Sequence, residues 1–168
     1  MTLKERQDDF VGIVKQHERL ILKVCALYSN ATREELCDLY QDAVCALWES
    51  YPSFRGESKV STWIFSVTRY TMLAHYRKQR LQTTSLDQDN YEKYGSSTPD
   101  ACATEELRNA LDHLQPEEKD LMVMWLEGFE LDEIAATTGV RYGAVATRLT
   151  RIKMKLKRMI NPRGKERR

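Results

Sequence analysis

LDEIAATTGVRYGAVATRLTRIKMKLKRM, from Leu131 to Met159, decides the fold. It begins as a short apolar helix, with Leu131, Ile134 and Ala135 on one face, and Gly139 stands where such a helix ends in a turn. From about Tyr142 to Ile160 a second helix takes over. Its Val145, Leu149, Ile152, Leu156 and Met159 recur every three or four positions and, at about 100° per residue, form one stripe that docks on a small bundle. Ala144, Thr147, Arg148, Arg151 and Lys155 share an adjoining face, with Lys153 and Lys157 on the other flank. This arrangement suits the DNA major groove. Small residues let the backbone approach base edges, Thr147 donates or accepts, and an arginine grips a guanine or clamps phosphate. A solvated amphipathic helix with a charged tail is the bland alternative, and the glycine turn with its preceding helix counts against it.

Charge is separated along the 168 residues although it nearly cancels overall, at +1. From Arg141 to Arg168 there are eleven Lys or Arg and one acidic residue, Glu166, whereas Ser85 to Asp120 holds ten Asp or Glu against three basic residues. A basic block with helical order points to nucleic acid. No apolar run approaches the roughly 18 residues of a membrane span, and the N-terminus lacks a signal-peptide pattern. The three His stand apart from the four Cys, no CxxC occurs, and neither a glycine-rich phosphate loop nor a nucleophile–His–acid set is present, so no enzyme, metal or cofactor is expected. The cysteines Cys25, Cys37, Cys45 and Cys102 read as small buried thiols of a reducing cytosol.

Strand-like alternation is almost absent, and the chain reads as all-α: two small helical domains joined by a flexible linker, the second containing the helix-turn-helix. A first helix is expected from about Asp8 to Tyr28, with Phe10, Ile13, Val14, His17, Leu20, Ile21, Val24 and Leu27 as one continuous stripe and His17 at the core edge. A second opens with Thr32 and Glu35 as a capping box, carries Leu36, Leu39, Tyr40, Ala43, Val44, Leu47, Trp48 and Tyr51, and stops at Pro52. A third runs from Ser61 or Thr62 to about Arg80 with Trp63, Ile64, Val67, Thr71 and Ala74 on one side. Phe10, Trp48 and Trp63 are the expected aromatic anchors. Periodicity vanishes from about Gln82 to Ala103, where Ser, Thr, Asp, Asn, Gly and Pro dominate. It returns with Leu107, Ala110, Leu111 and Leu114. Pro116 then suits a first helical turn, Leu121, Met124 and Trp125 face inward, and Gly128 stops that helix.

Two segments carry a resemblance. DLYQDAVCALW (Asp38–Trp48), FRGES (Phe54–Ser58) and STWIFSVTRY (Ser61–Tyr70) form the first, and LQPEEKDLMVMWLEGFELDEIAATTGVRYGAVATRL (Leu114–Leu149) the second. In this order and separation they resemble the extracytoplasmic-function group of bacterial sigma factors, compact members of the sigma-70 family of RNA polymerase subunits. The resemblance implies a region 2-like domain over 1–81, a linker over 82–103, a region 4-like domain over 104–161 and a basic tail over 162–168. It further implies that Asp38, Gln41, Asp42 and Glu49 dock on the clamp helices of core RNA polymerase. Phe54, Ser58 and Lys59, with Arg69, Tyr70, Tyr76, Arg77, Lys78 and Arg80, would hold the melted −10 strand, a flipped base entering a pocket. Ala144, Thr147, Arg148, Arg151 and Lys155 would face the −35 duplex. The acidic linker would thread toward the RNA exit path, and an anti-sigma factor, often membrane-anchored in this group, is an implied partner beside core polymerase and promoter DNA.

Positions on two helices depart from the family's pattern, Ala144 for Thr and Thr147 for Ser among them. Tyr70 and Ala74 stand where Asn and Asp are usual, and Ala146 replaces a lysine, which implies weaker phosphate attraction on that flank. The competing expectation is a stand-alone helix-turn-helix regulator that dimerises through its N-terminal bundle and binds a palindromic duplex.

Overall fold

The computed structural model describes residues 2–28, 33–82 and 105–161, except the side chains of residues 33, 79–82 and 105. Among them every regular element is helical. The chain runs α1 (Leu3–Gln16), α2 (Glu18–Tyr28), α3 (Arg33–Ser50), a 3₁₀ turn (Tyr51–Ser53) and α4 (Val60–Gln82), then α5 (Glu105–Asp112), α6 (Pro116–Leu126), α7 (Leu131–Thr138) and α8 (Tyr142–Ile160). α1–α4 form one compact unit and α5–α8 another. Thr32, the expected linker from residue 83 to residue 103 and the basic tail lie outside the described residues, and of Arg80 only the backbone is described.

The first expected helix starts earlier and is broken. Thr2 accepts from Glu5 N–H while the Glu5 carboxylate accepts from Thr2 N–H at 2.7 Å, a capping box that moves the start to Leu3. At His17 the amide is shared between the carbonyls of Ile13 and Val14, and the ring Nδ1 lies 3.0 Å from Ile13 O. His17 thereby ends α1 and sits half-buried, its polarity satisfied locally. Ile21 N–H bonds back to His17 O, so the apolar stripe passes the break without interruption.

In the first unit α4 packs on both α2 and α3, and α2 on α3. Ile21, Val24 and Cys25 of α2, Leu39, Ala43 and Leu47 of α3, and Ile64, Phe65, Thr68 and Met72 of α4 are buried. The core side of α4 thus differs from the expected one: Ala74 is exposed and Trp63, Val67 and Thr71 are half-buried. Thr68 hides the true row, because a polar residue breaks its apolar reading at i, i+3, i+4. Its hydroxyl is buried with no hydrogen-bond partner, which costs stability. The cysteine expectation also fails in part. Cys25 is buried, and burial pushes its thiol up to about 12, whereas Cys37 and Cys45 are exposed on α3.

In the second unit α8 packs on α5, α6 and α7. Val145, Leu149, Ile152 and Leu156 are buried as expected, and so are Leu111, Leu114, Leu121 and Ile134. Met159 is exposed, since the 19 residues of α8 outrun the 8 to 11 residues of the helices beneath it. Trp125 is exposed too. α6 is buried on several sides, with Met122 and Val123 inside alongside Leu121 and Met124, which leaves Trp125 to the surface. Pro116 does open α6. Gly139 (φ 73°) closes α7 and Gly128 (φ 80°) follows the end of α6, both in the left-handed region that favours glycine.

Candidate nucleic-acid interface

An aromatic ladder shapes one end of the first unit. Phe10 meets Trp48 edge-on at 5.0 Å between ring centres and Tyr51 at 5.4 Å; Tyr51 is 6.1 Å from Trp63, which stacks on Phe54 at 4.9 Å. Each such pair adds about 0.5–1.5 kcal/mol beyond its area. The Arg6 guanidinium lies 5.3 Å from the centre of the Trp48 ring and 5.9 Å from that of Tyr51. Ser53 donates to Ser50 O at 2.7 Å, holding the 3₁₀ turn, and Gly56 takes φ 74° so that the chain can double back toward α4. Together these fix the loop from Phe54 to Lys59 at the mouth of the ladder.

That loop borders an open cavity of about 410 Å³, lined by Ser53, Phe54, Arg55, Glu57, Ser58 and Trp63. Phe54 and Ser58 were expected here. Lys59 ends the loop and is exposed, but it does not line the cavity. Ser53, Arg55 and Glu57 are additions that periodicity could not supply, since the loop has none, and Trp63, expected only as a core anchor, forms a wall from α4. A glycine between two oppositely charged residues was the one available signal. The cavity offers a flat aromatic wall together with donors and acceptors, the combination that holds an unstacked base.

Further along α4, Tyr70 is 72% exposed, and Tyr76, Arg77 and Lys78 are exposed as well. These four present aromatic and cationic groups to solvent, whereas Arg69 is half-buried with its guanidinium 5.7 Å from the centre of the Tyr28 ring. On α3, Asp38, Gln41, Asp42 and Glu49 are all exposed, along the side away from buried Leu39, Ala43 and Leu47. Cys45 lies among them at helical spacing.

In the second unit α8 carries six Lys or Arg and no Asp or Glu, and Arg141 stands just before it. Thr147, Arg148 and Arg151 are exposed and Ala144 half-buried. Arg148 and Ala144 border a cavity of about 370 Å³ beside the Gly139 turn, whose other walls include Glu117, buried Asp120 and Arg141. Lys155 has a protein partner: its Nζ lies 2.7 Å from Glu118 Oε2 and ties α8 to α6. That hydrogen bond, helped by the Gln115 amide and the lysine charge and opposed by partial burial, holds the Glu118 carboxyl below its ordinary value. Lys153 is engaged similarly, with Nζ 3.3 Å from the centre of the Trp125 ring. The cations of α8 therefore divide into two that brace the bundle and others directed to solvent.

Comparison with known proteins bears on this geometry. The sigma-70 region 2 model matches residues 13–82, and the sigma-70 region 4 model matches residues 104–156. The ECF RNA polymerase sigma factor EcfG of Rhodopseudomonas palustris is 30% identical over 145 residues, covering 84% of this chain and 78% of that protein. The sigma factor YlaC of Bacillus subtilis is 28% identical over 142 residues, covering 77% of this chain and 80% of that protein. Two solved structures share the fold. RpoE from Bartonella quintana, in complex with the anti-sigma factor NepR, has a TM-score of 0.66 at 18% identity over 98% of this chain and all of that one. CnrH, in complex with the cytosolic domain of CnrY, has a TM-score of 0.67 at 19% identity over 94% and 91%. None of these likenesses supports a stand-alone dimeric regulator or an enzyme. The two matched regions and the level of identity over most of both chains establish that this chain belongs to the extracytoplasmic-function group of sigma-70-family RNA polymerase sigma factors.

Proposed function

We propose that this sigma factor binds core RNA polymerase through the acidic face of α3, captures a flipped −10 base in the cavity beside Trp63, and reads the −35 duplex with α8. The observation that carries this reading is a pairing. A base-sized aromatic cavity lies inside the stretch matched to region 2, and an exposed basic helix lies inside the stretch matched to region 4. Domain one spans 1–81 and domain two 104–161, joined by a linker over 82–103. Asp38, Gln41, Asp42 and Glu49 meet a basic partner surface on the polymerase. Phe54, Ser58 and the loop around them hold the base, while Lys59, Tyr70, Tyr76, Arg77, Lys78 and Arg80 attend the strand. Arg148 and Arg151, with Ala144 and Thr147 allowing close approach, meet the major groove. Lys155 reaches phosphate only by leaving Glu118.

The chain acts in the cytoplasm, where promoter and polymerase are. RpoE of Bartonella quintana was solved with the anti-sigma factor NepR and CnrH with the cytosolic domain of CnrY, and an anti-sigma protein is the proposed partner here as well.

Fluorescent-base reporters in the −10 element test the cavity directly. Phe54→Ala is expected to slow opening at least several-fold while leaving −35 binding of the holoenzyme intact. Trp63→Phe retains an aromatic wall and should open nearly normally. Unimpaired opening by Phe54→Ala would remove the cavity from the mechanism.

A further inference from the structure

We propose that α8 reads thymine methyl groups through an uncharged ridge formed by Thr147, Thr150 and Met154. The inference rests on α8 being the helix that faces the −35 duplex. At about 100° per residue, Thr147 and Met154 point about 170° away from the middle of the buried row Val145, Leu149, Ile152 and Leu156. Thr150 stands within about 50° of the same direction. All three are exposed, Met154 by 52%. Arg148 and Arg151 flank the ridge on one side and Lys157 on the other, and exposed Arg158 closes it one turn beyond Met154, so cations reach toward both phosphate walls of a groove while the uncharged crest meets its floor.

Beyond Thr147 the crest is unsuited to hydrogen-bond reading. Thr150 Oγ1 donates to Ala146 O at 2.9 Å, which uses its hydroxyl inside the helix and leaves the γ-methyl as the group it offers. Met154 offers a polarisable thioether chain and no hydrogen-bond donor. In the major groove the apolar group on a base edge is the C5-methyl of thymine, and threonine methyls are among its ordinary partners. An exposed methionine on so basic a helix gains nothing from water, but it gains a contact once the flanking arginines have seated the helix on a duplex. Charge on the flanks selects the occupant, and the apolar crest then selects among sequences.

Deoxyuridine removes that methyl and nothing else. The holoenzyme, assembled from the full chain and core polymerase, is used to select −35 elements from a randomised promoter library. Each thymine in the selected element is then replaced in turn by deoxyuridine. At one or two positions affinity is expected to fall about threefold to fivefold, the worth of one buried methyl. Thr150→Ser and Met154→Ala should each lose a similar factor on the thymine duplex, with unchanged melting temperature, and one of them should lose nothing more when its facing thymine is replaced. Insensitivity at every thymine, selected elements without A·T pairs, or a deoxyuridine penalty undiminished in both variants would each overturn the proposal. Arg148→Ala separates this result from the wider reading. If it weakens −35 binding while deoxyuridine costs nothing, α8 remains the reader and the methyl contact is wrong. If neither change matters, the assignment of α8 falls as well.

Discussion

Cys25 and Cys45 lie in neighbouring helices of one unit, yet their surroundings set opposite chemistry. Cys25 is enclosed between α2 and α3 with Sγ 3.9 Å from Leu39 O, and its thiol stays protonated far above neutral pH. Cys37 and Cys45 face solvent on α3. A maleimide reagent on the native chain should therefore modify Cys37 and Cys45 rapidly and Cys25 only after unfolding, as read by peptide mass spectrometry. Early modification of Cys25 would contradict the packing of α2 on α3. The sequence placed all three on helices, but cysteine is small and weakly polar enough to suit either side, so its type alone did not say which side it took. Glu118 makes a second residue-level case. Its folded value lies below the ordinary carboxylate value, so the pair with Lys155 stabilises the unit above about pH 4.5 and ceases to do so as pH falls through the lowered value. Both partners are about a third exposed, so the contribution stays under about 1 kcal/mol. Glu118→Gln should lower the melting temperature slightly at pH 7, with the gap to the parent closing at acid pH. A gap that widens on acidification would refute the pairing.

At the scale of elements, the helix-turn-helix was legible because two independent signals agreed: the 3.6-residue period of α8 and the glycine that ends α7. Gly139 and Gly143 turn that agreement into a measurement. An added Cβ meets no atom within 4 Å at either position, so packing does not distinguish them. Their backbones do. Gly139→Ala must hold an L side chain at φ 73° and should cost about 1–2 kcal/mol. Gly143→Ala lies within α8 and should gain up to about 1 kcal/mol. Denaturant titrations that reversed this order would mean that the α7–α8 turn is built differently. The first unit was less legible at this scale. A one-residue break at His17 leaves the apolar period intact and so escapes pattern reading. A buried Thr68 in α4 instead shifted the apparent core face toward Trp63 and Ala74. The loop cavity was harder still, because Phe54 and Trp63 are brought into a stack by a turn whose residues follow no period.

For the whole molecule, the order of the two matched segments was readable from the chain, and so was the acidic set on α3, because Asp38, Gln41, Asp42 and Glu49 fall away from its apolar stripe and all four are exposed in the fold. Reversing the charge at Asp38 and Asp42 together should weaken assembly with core polymerase by tenfold or more. Stability should change by only about 0.5 kcal/mol or less, since both residues are exposed. Native-gel titration against core and thermal melting report the two effects separately, and unchanged assembly at low and moderate salt would move the docking surface elsewhere. The central claim is that one chain, acting as a polymerase subunit, engages two promoter elements. Its most direct measurement is transcription by purified core polymerase, with and without this chain, from a promoter library sequenced by start site. The expected result is a 1:1 holoenzyme giving discrete starts preceded by paired −10 and −35 motifs, with the −35 dependence weakened in Arg148→Ala. Tight binding of the free chain, as a dimer, to a palindromic duplex with half-sites about one helical turn apart, together with no change in core transcription, would contradict it.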